Sequence, residues 1–289
     1  MRDSSAGQAE PGRLGSVAIF YLLAFGVSWA IEIPQAMASR GLIHVQIPGV
    51  IGFISPLAPM VAAILMSRSA GGVPQIWHLL SRLLKWRAAV GWWTVVLTGF
   101  PALGLLVVTL AFAITGRVPD LNASYIHSVF PQFPATLSPW LLFGPFMLYS
   151  IITSIPEEVG WRGFALPRLQ ARWGAAWASL AVGALWGLWH LPLFFYPQAA
   201  QSGISFPVFL AGTLSTSILF TWVFNGTGGS LLMVSVLHSS FNATNVFLPL
   251  LPQVTGTALQ LWLNVALITV VAVILVVTRR LRGEIATAR

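Results

Sequence analysis

Eight long apolar stretches recur along this chain, and short polar segments separate them. Each stretch has about 20 residues, the length that an α-helix needs to cross a hydrocarbon core of roughly 30 Å. The predicted spans are residues 15–38, 47–66, 90–115, 138–163, 173–196, 204–224, 229–250 and 257–278. The pattern predicts an all-α, polytopic membrane protein with about eight transmembrane helices.

The composition supports this fold class. Hydrophobic residues make up 56% of the 289 residues and charged residues only 8%, whereas a soluble domain has roughly 25% charged residues. The chain contains no cysteine, which excludes disulfides, iron–sulfur clusters and a thiol nucleophile.

The net charge of +8 lies mainly in the gaps between the spans. Thirteen of the fifteen Lys and Arg residues fall on one side if the N-terminus is cytoplasmic, and Arg40 and Arg117 fall on the other. Because cytoplasmic loops are rich in Lys and Arg, we predict a cell-membrane protein with both termini in the cytoplasm. Membrane lipid is the expected surrounding partner, and no nucleic-acid partner is predicted.

A single transmembrane domain, residues 15–278, is expected to make up nearly the whole chain. Residues 1–14 are small and polar, which predicts a disordered cytoplasmic N-terminus. Residues 279–289 form a basic tail that the charge pattern places in the cytoplasm.

Ionisable groups within the spans are the first candidates for function, because burying them in a bilayer is costly. Of seven acidic residues, only Glu32, Glu157 and Glu158 lie in predicted spans. For Glu32 we favour a position at the outer interface over one in a shared cavity.

The first candidate block is the segment 157–163, Glu-Glu-Val-Gly-Trp-Arg-Gly. Glu158 and Arg162 are four residues apart and share a helix face, so they are expected to pair, while Glu157 points away and stays free. Pro156 removes one backbone hydrogen bond and loosens the helix there. The alternative interpretation is a charge cluster at the interface that sets the topology.

Two further polar features lie in later spans. His190 follows two tryptophans in the segment 186–192, Trp-Gly-Leu-Trp-His-Leu-Pro. His238 and Asn242 are four residues apart, so both project from one face of the seventh span, and each can donate to the same oxygen. Hydrogen bonding between helices is the alternative role for these residues.

Together these residues supply the groups that amide hydrolysis needs. Glu157 and His190 could hold and deprotonate a water molecule. His238 and Asn242 could stabilise the oxyanion that forms on the attacked carbonyl, at roughly 3 kcal/mol per donor. The set predicts a polar cavity among the helices with a hydrolytic site in it.

The three blocks resemble the CPBP family of intramembrane proteases, also called Abi or CAAX proteases. That family has a Glu-Glu-x-x-x-Arg block, then Phe-x-x-x-His, then His-x-x-x-Asn, on a core of eight transmembrane helices. Here Trp186 takes the place of the Phe, a conservative aromatic exchange. The resemblance, carried by residues 157–242, implies an intramembrane endopeptidase in which Glu157 and His190 activate water, His238 and Asn242 form the oxyanion hole, and Glu158 and Arg162 support them.

The resemblance and the residues leave the cofactor open. We favour no metal, because an amide such as that of Asn242 is a poor zinc ligand; if zinc binds, its ligands would be Glu157, His190 and His238. The expected substrate is a peptide or a membrane-protein segment, with or without a lipid. The alternative functions are a proton-coupled small-molecule transporter and a non-catalytic membrane scaffold or immunity protein.

Overall fold

Eight long helices form the body of the protein in the computed structural model, which describes residues 14–45, 47 and 49–281. No β-strand occurs in those ranges. The helices are α1 Leu14–Ser39, α2 Ala58–Leu80, α3 Val90–Thr115, α4 Phe143–Glu158, α5 Leu166–Trp189, α6 Phe206–Gly226, α7 Leu231–Phe247 and α8 Leu259–Val277.

Six helical segments in the described ranges are long and apolar enough to cross a membrane. One of them, Pro139–Phe195, contains both α4 and α5 and so covers two predicted spans. The predicted fold class, an all-α polytopic membrane protein, is confirmed. The predicted N-terminal segment and most of the predicted basic tail, residues 1–13 and 282–289, lie outside the described residues.

The second predicted span differs from a regular helix. Its first part is the 3₁₀ helix Gly49–Leu57, and α2 begins only at Ala58. Pro56 and Pro59 lack the backbone N–H groups that a regular helix would need there. α2 is also broken at Gly71 and Gly72, and Gly72 adopts a positive φ of 67° that side chains rarely tolerate.

The fourth and fifth spans are joined through an unusual connection. α4 continues into a π-helical turn, Val159–Ala165, which leads directly into α5. α5 is broken at Gly174, where φ is +73° and ψ is 170°, close to the predicted start of the fifth span at residue 173. The π turn follows immediately after Glu157 and Glu158, which places the irregular backbone next to the carboxylates.

Small residues allow the helices around these carboxylates to approach closely. A Cβ atom on Gly160 would lie 2.5 Å from Cβ of Pro59 in α2, and one on Gly183 would lie 2.9 Å from Cα of Leu214 in α6. Gly183 and Gly187 are four residues apart on α5, a spacing that favours close packing between membrane helices. This packing holds α5 and its C-terminal residues against α6.

Candidate active site

A cavity of about 480 Å³ lies among the helices, and all four predicted catalytic residues line it. Glu157 comes from α4, His190 from the residue after α5, and His238 and Asn242 from α7. The cavity is therefore assembled from residues of three different helices, α4, α5 and α7. The structure thus places the four predicted catalytic residues around one cavity.

Glu158 is the centre of a buried polar cluster. Its Oε1 atom accepts a hydrogen bond from Nη1 of Arg162 at 3.1 Å and a second one from Nδ1 of His238 at 2.8 Å. The side chains of Glu158 and Arg162 are fully buried. The predicted pairing of Glu158 with Arg162 is present, and the contact with His238 adds a link to α7 that the helix spacing did not indicate.

Aromatic rings surround the Arg162 guanidinium. Its Cζ atom lies 5.2 Å from the ring centroid of Trp186 and 4.8 Å from that of Phe220. A cation above an aromatic face is attracted by the ring quadrupole, and the attraction is larger in a desolvated site. The rings therefore stabilise the positive charge of Arg162, which the ion pair with Glu158 compensates only in part.

Glu157 does not take part in that ion pair, but it is not free. Its Oε2 atom accepts a hydrogen bond from Nε1 of Trp186 at 2.9 Å. The side chain is largely buried and lines the cavity. The expectation that Glu157 stays free is corrected: the residue is held by Trp186, and its other carboxylate oxygen is available to a ligand.

The orientation of His190 follows from the end of α5. The backbone N–H of His190 bonds to the carbonyl oxygen of Gly187 at 3.3 Å, which leaves the carbonyl of Trp186 available. Nδ1 of His190 donates to that carbonyl at 2.8 Å. Because a carbonyl oxygen can only accept, the neutral ring carries its proton on Nδ1, and Nε2 has a free lone pair.

Asn242 is oriented by a contact with α4. Its Nδ2 atom donates to Oγ of Ser150 at 3.2 Å. An amide nitrogen carries two hydrogens, so a second donor remains for a ligand in the cavity. Ser150 and Glu157 are seven residues apart on α4 and both line the cavity.

Glu32 also lines this cavity, which corrects the expectation that it lies at the outer interface. The side chain is 5% exposed, and its Oε1 atom accepts a hydrogen bond of 2.5 Å from Oγ of Ser55. Its sequence position, two residues before Pro34 and near the end of α1, made an interface location plausible. Ser55 belongs to the 3₁₀ helix Gly49–Leu57, which packs against α1.

The residues do not fit a metal centre well. Within the described ranges, no three His, Asp or Glu side chains come close enough to hold a metal ion together. The Nδ1 atoms of His238 and His190 are bonded to Glu158 and to a backbone carbonyl, an arrangement that metal-binding histidines also have, so it is the spacing of the three side chains that argues against a shared metal. The zinc ligand set named above, Glu157, His190 and His238, is therefore not assembled as a metal site.

Trp186 is the residue whose importance the sequence reasoning missed. Its indole N–H binds Glu157, its carbonyl binds His190, and its ring contacts His238 edge-on with centroids 5.4 Å apart. A signal was present: a buried indole N–H needs an acceptor, and Trp186 lies four residues before His190. Phe at this position could not donate the bond to Glu157.

Comparison with known proteins agrees with the motif blocks. Residues 139–244 match the family described as type II CAAX prenyl endopeptidase, Rce1-like. The CAAX prenyl protease 2 of Methanococcus maripaludis is 28% identical over 151 residues, which are 49% of this chain and 51% of that protein. The match thus spans about half the length of the curated relative. The segment 139–244, which contains every motif residue named above, is therefore similar to the type II CAAX prenyl endopeptidases.

Proposed function

We propose that this protein is an intramembrane endopeptidase that hydrolyses a peptide bond with water activated by Glu157 and His190. The observation that carries the proposal is the shared cavity of about 480 Å³, into which three helices bring a carboxylate, an imidazole and an imidazole–amide pair. The similarity to CAAX prenyl endopeptidases supports the same reaction class.

Two hydrogen-bond acceptors, Glu157 and His190, bind and activate the water in this proposal. Glu157 keeps one oxygen for water because the other accepts from Trp186. His190 presents the lone pair of Nε2 because its Nδ1 proton is bound to a backbone carbonyl. One group takes the proton of the water and the other orients it, and the proton then passes to the nitrogen of the leaving amine as the peptide bond breaks.

Stabilising the oxyanion requires hydrogen-bond donors. His238, which is bound to Glu158, is the first of them. With Nδ1 of His238 donating to Glu158, Nε2 donates only if the ring is an imidazolium. The positive charges of Arg162 and of such an imidazolium would balance the negative charges of Glu157 and Glu158, so the buried cluster would be neutral. Asn242 supplies the second donor through its remaining amide hydrogen.

The substrate in this proposal is a peptide or a membrane-protein segment, with or without a lipid. The Methanococcus relative is a CAAX prenyl protease by name, which makes a prenylated peptide one member of that class. The cavity walls carry mostly apolar side chains, which suits a peptide with apolar residues around the cleaved bond.

Substitution of the proposed base tests the function. Membranes with wild-type protein, Glu157→Gln or Asp120→Asn would be compared by mass spectrometry for new peptide termini at equal expression. Asp120→Asn is the matched control, because it makes the same acid-to-amide change in an exposed loop. Termini present with wild type and the control but lost in Glu157→Gln are expected. Termini that persist in Glu157→Gln would overturn the proposal.

A further inference from the structure

The helix bundle has two distinct ends, and hydrogen bonds between connecting segments define them. At one end, the segments near residues 82–85, 163, 225–230 and 281 meet. Nζ of Lys85 donates to the carbonyl of Gly228 at 2.8 Å, and Oγ of Ser230 donates to the carbonyl of Lys85 at 2.6 Å. Nδ2 of Asn225 donates to the carbonyl of Leu281 at 2.8 Å. We call this the basic end.

The remaining connecting segments meet at the opposite end of the bundle. Oη of Tyr125 donates to the carbonyl of Gln198 at 3.0 Å, and the backbone N–H of Tyr125 donates to the carbonyl of Val246 at 2.9 Å. Nε2 of Gln253 donates to the carbonyl of Ala200 at 2.7 Å. We call this the loop end.

The cavity extends from the catalytic residues towards the loop end. His238 is the eighth residue of α7 and lies about 10 Å along the helix from its start at the basic end. The other lining residues on α6 and α8 belong to the first halves of those helices, which start at the loop end. Tyr196, Gln201 and Leu251, from the connections at the loop end, line the cavity as well.

The charges indicate which end faces the cytoplasm. Among the described residues, eight Lys and Arg side chains outside the buried cluster belong to the basic end, namely Arg68, Arg82, Lys85, Arg87, Arg168, Arg172, Arg279 and Arg280. Arg40 and Arg117 belong to the loop end. Since Lys and Arg are retained on the cytoplasmic side, the basic end is the cytoplasmic one.

From these two observations we propose that the active-site cavity opens to the extracytoplasmic side, so that the substrate is an exported peptide or a membrane-protein segment on that side. This inference rests on the proposed peptidase function for its substrate class and on the fold and charges for its sidedness.

The chemistry of the cavity narrows the substrate further. Glu32 and Glu157 line it, and the part of its lining that the structure describes includes no Lys or Arg. A carboxylate on the substrate would therefore face two acidic side chains, while the proposed His238 imidazolium is already paired with Glu158. The segment that enters is neutral or basic, and an acidic residue next to the cleaved bond is disfavoured.

The absence of cysteine from the sequence makes sidedness directly measurable. Ala258 and Ala89 are matched sites, because each is the exposed residue that precedes a helix, α8 at the loop end and α3 at the basic end. Single Ala258→Cys and Ala89→Cys variants would be treated in intact cells with a membrane-impermeant maleimide. A cytoplasmic protein with a reactive thiol serves as the control for lysis.

Labelling of Ala258→Cys in intact cells, with labelling of Ala89→Cys only after permeabilisation, is the expected result. The reverse pattern, or labelling of both sites in intact cells, overturns the proposed sidedness whether or not the protein is a peptidase.

The new peptide termini that appear with wild-type protein but not with Glu157→Gln then test the substrate class. They are expected in exported peptides or in the extracytoplasmic segments of membrane proteins, and termini confined to cytoplasmic segments would overturn this part. If no such termini exist, the peptidase function fails while the labelling result still stands.

Discussion

Nε1 of Trp186 donates a hydrogen bond of 2.9 Å to Oε2 of Glu157. The carbonyl of the same residue accepts the Nδ1 proton of His190 at 2.8 Å. One residue thus orients both groups that are proposed to activate water. The contact joins α4 to α5 across 29 positions of sequence.

Replacing Trp186 with Phe keeps an aromatic ring, removes the indole donor and leaves a smaller side chain. We expect kcat to fall roughly 10- to 100-fold with little change in KM, because a hydrogen bond to a charged group contributes about 1.5–3 kcal/mol. Initial rates on a peptide found in the terminus mapping would measure both constants.

Trp189→Phe is the matched control for this substitution. Trp189 lines the same cavity, but its indole nitrogen has no hydrogen-bond partner among the described residues. Its removal should change kcat much less. Equal losses in the two variants would show that ring packing, and not the bond to Glu157, accounts for the effect.

Glu158→Gln should destabilise the protein strongly. The substitution leaves the fully buried Arg162 without its counter-ion, and loss of one partner of a buried ion pair costs about 3–5 kcal/mol. Thermal unfolding in detergent would show a lowered Tm. A Tm equal to that of the wild type would mean that the Arg162 charge is compensated elsewhere.

The double variant Glu158→Gln with Arg162→Met separates stability from activity. Removing the unpaired charge should recover part of the lost Tm, since apolar replacements of buried ion pairs are often tolerated. Activity should not recover, because Nδ1 of His238 would have no carboxylate to hold an imidazolium. Recovery of both would argue against a role of Glu158 in orienting His238.

Gly160→Ala should also lower stability. Its Cβ atom would lie 2.5 Å from Cβ of Pro59 and 2.8 Å from the carbonyl oxygen of Pro59, and overpacking of this kind typically costs about 1–3 kcal/mol. Gly144→Ala, on α4, is the control, because no atom lies within 4 Å of its added Cβ. The Tm of the first variant should fall and that of the second should not.

Chelation tests the cofactor prediction. Purified protein treated with 1,10-phenanthroline should retain its peptidase activity, because Glu157, His190 and His238 do not form a metal site in this structure. Comparison with a non-chelating phenanthroline isomer controls for inhibition by the ring system itself. Loss of activity that added zinc restores would contradict the metal-free proposal.

Much of the architecture could be predicted from the sequence because hydrophobic length and local helix geometry are properties of contiguous residues. The third span was predicted at 90–115 and α3 is Val90–Thr115. The pairing of Glu158 with Arg162 depends only on the four-residue spacing of one helical face, so it too could be foreseen. Pro56 and Pro59 indicated an interruption of the second span, but its 3₁₀ start at Gly49–Leu57 could not be predicted, because closely spaced prolines do not alter its apolar character.

The contacts that define the site were decided by the tertiary structure. Glu157 with Trp186, Glu158 with His238, and Glu32 with Ser55 are separated by 29, 80 and 23 positions. Each contact depends on how a helix is rotated about its axis and how closely it packs against its neighbour, which close-packed side chains determine together.

The sequence by itself therefore determined a polytopic helical membrane protein with a set of candidate hydrolytic residues, because each of those features is encoded by composition or by spacing within one segment. Only the tertiary structure decided that Trp186 holds Glu157, that Glu32 lines the same cavity, and that the cavity extends towards the loop end. These depend on side chains from separate helices packing against one another.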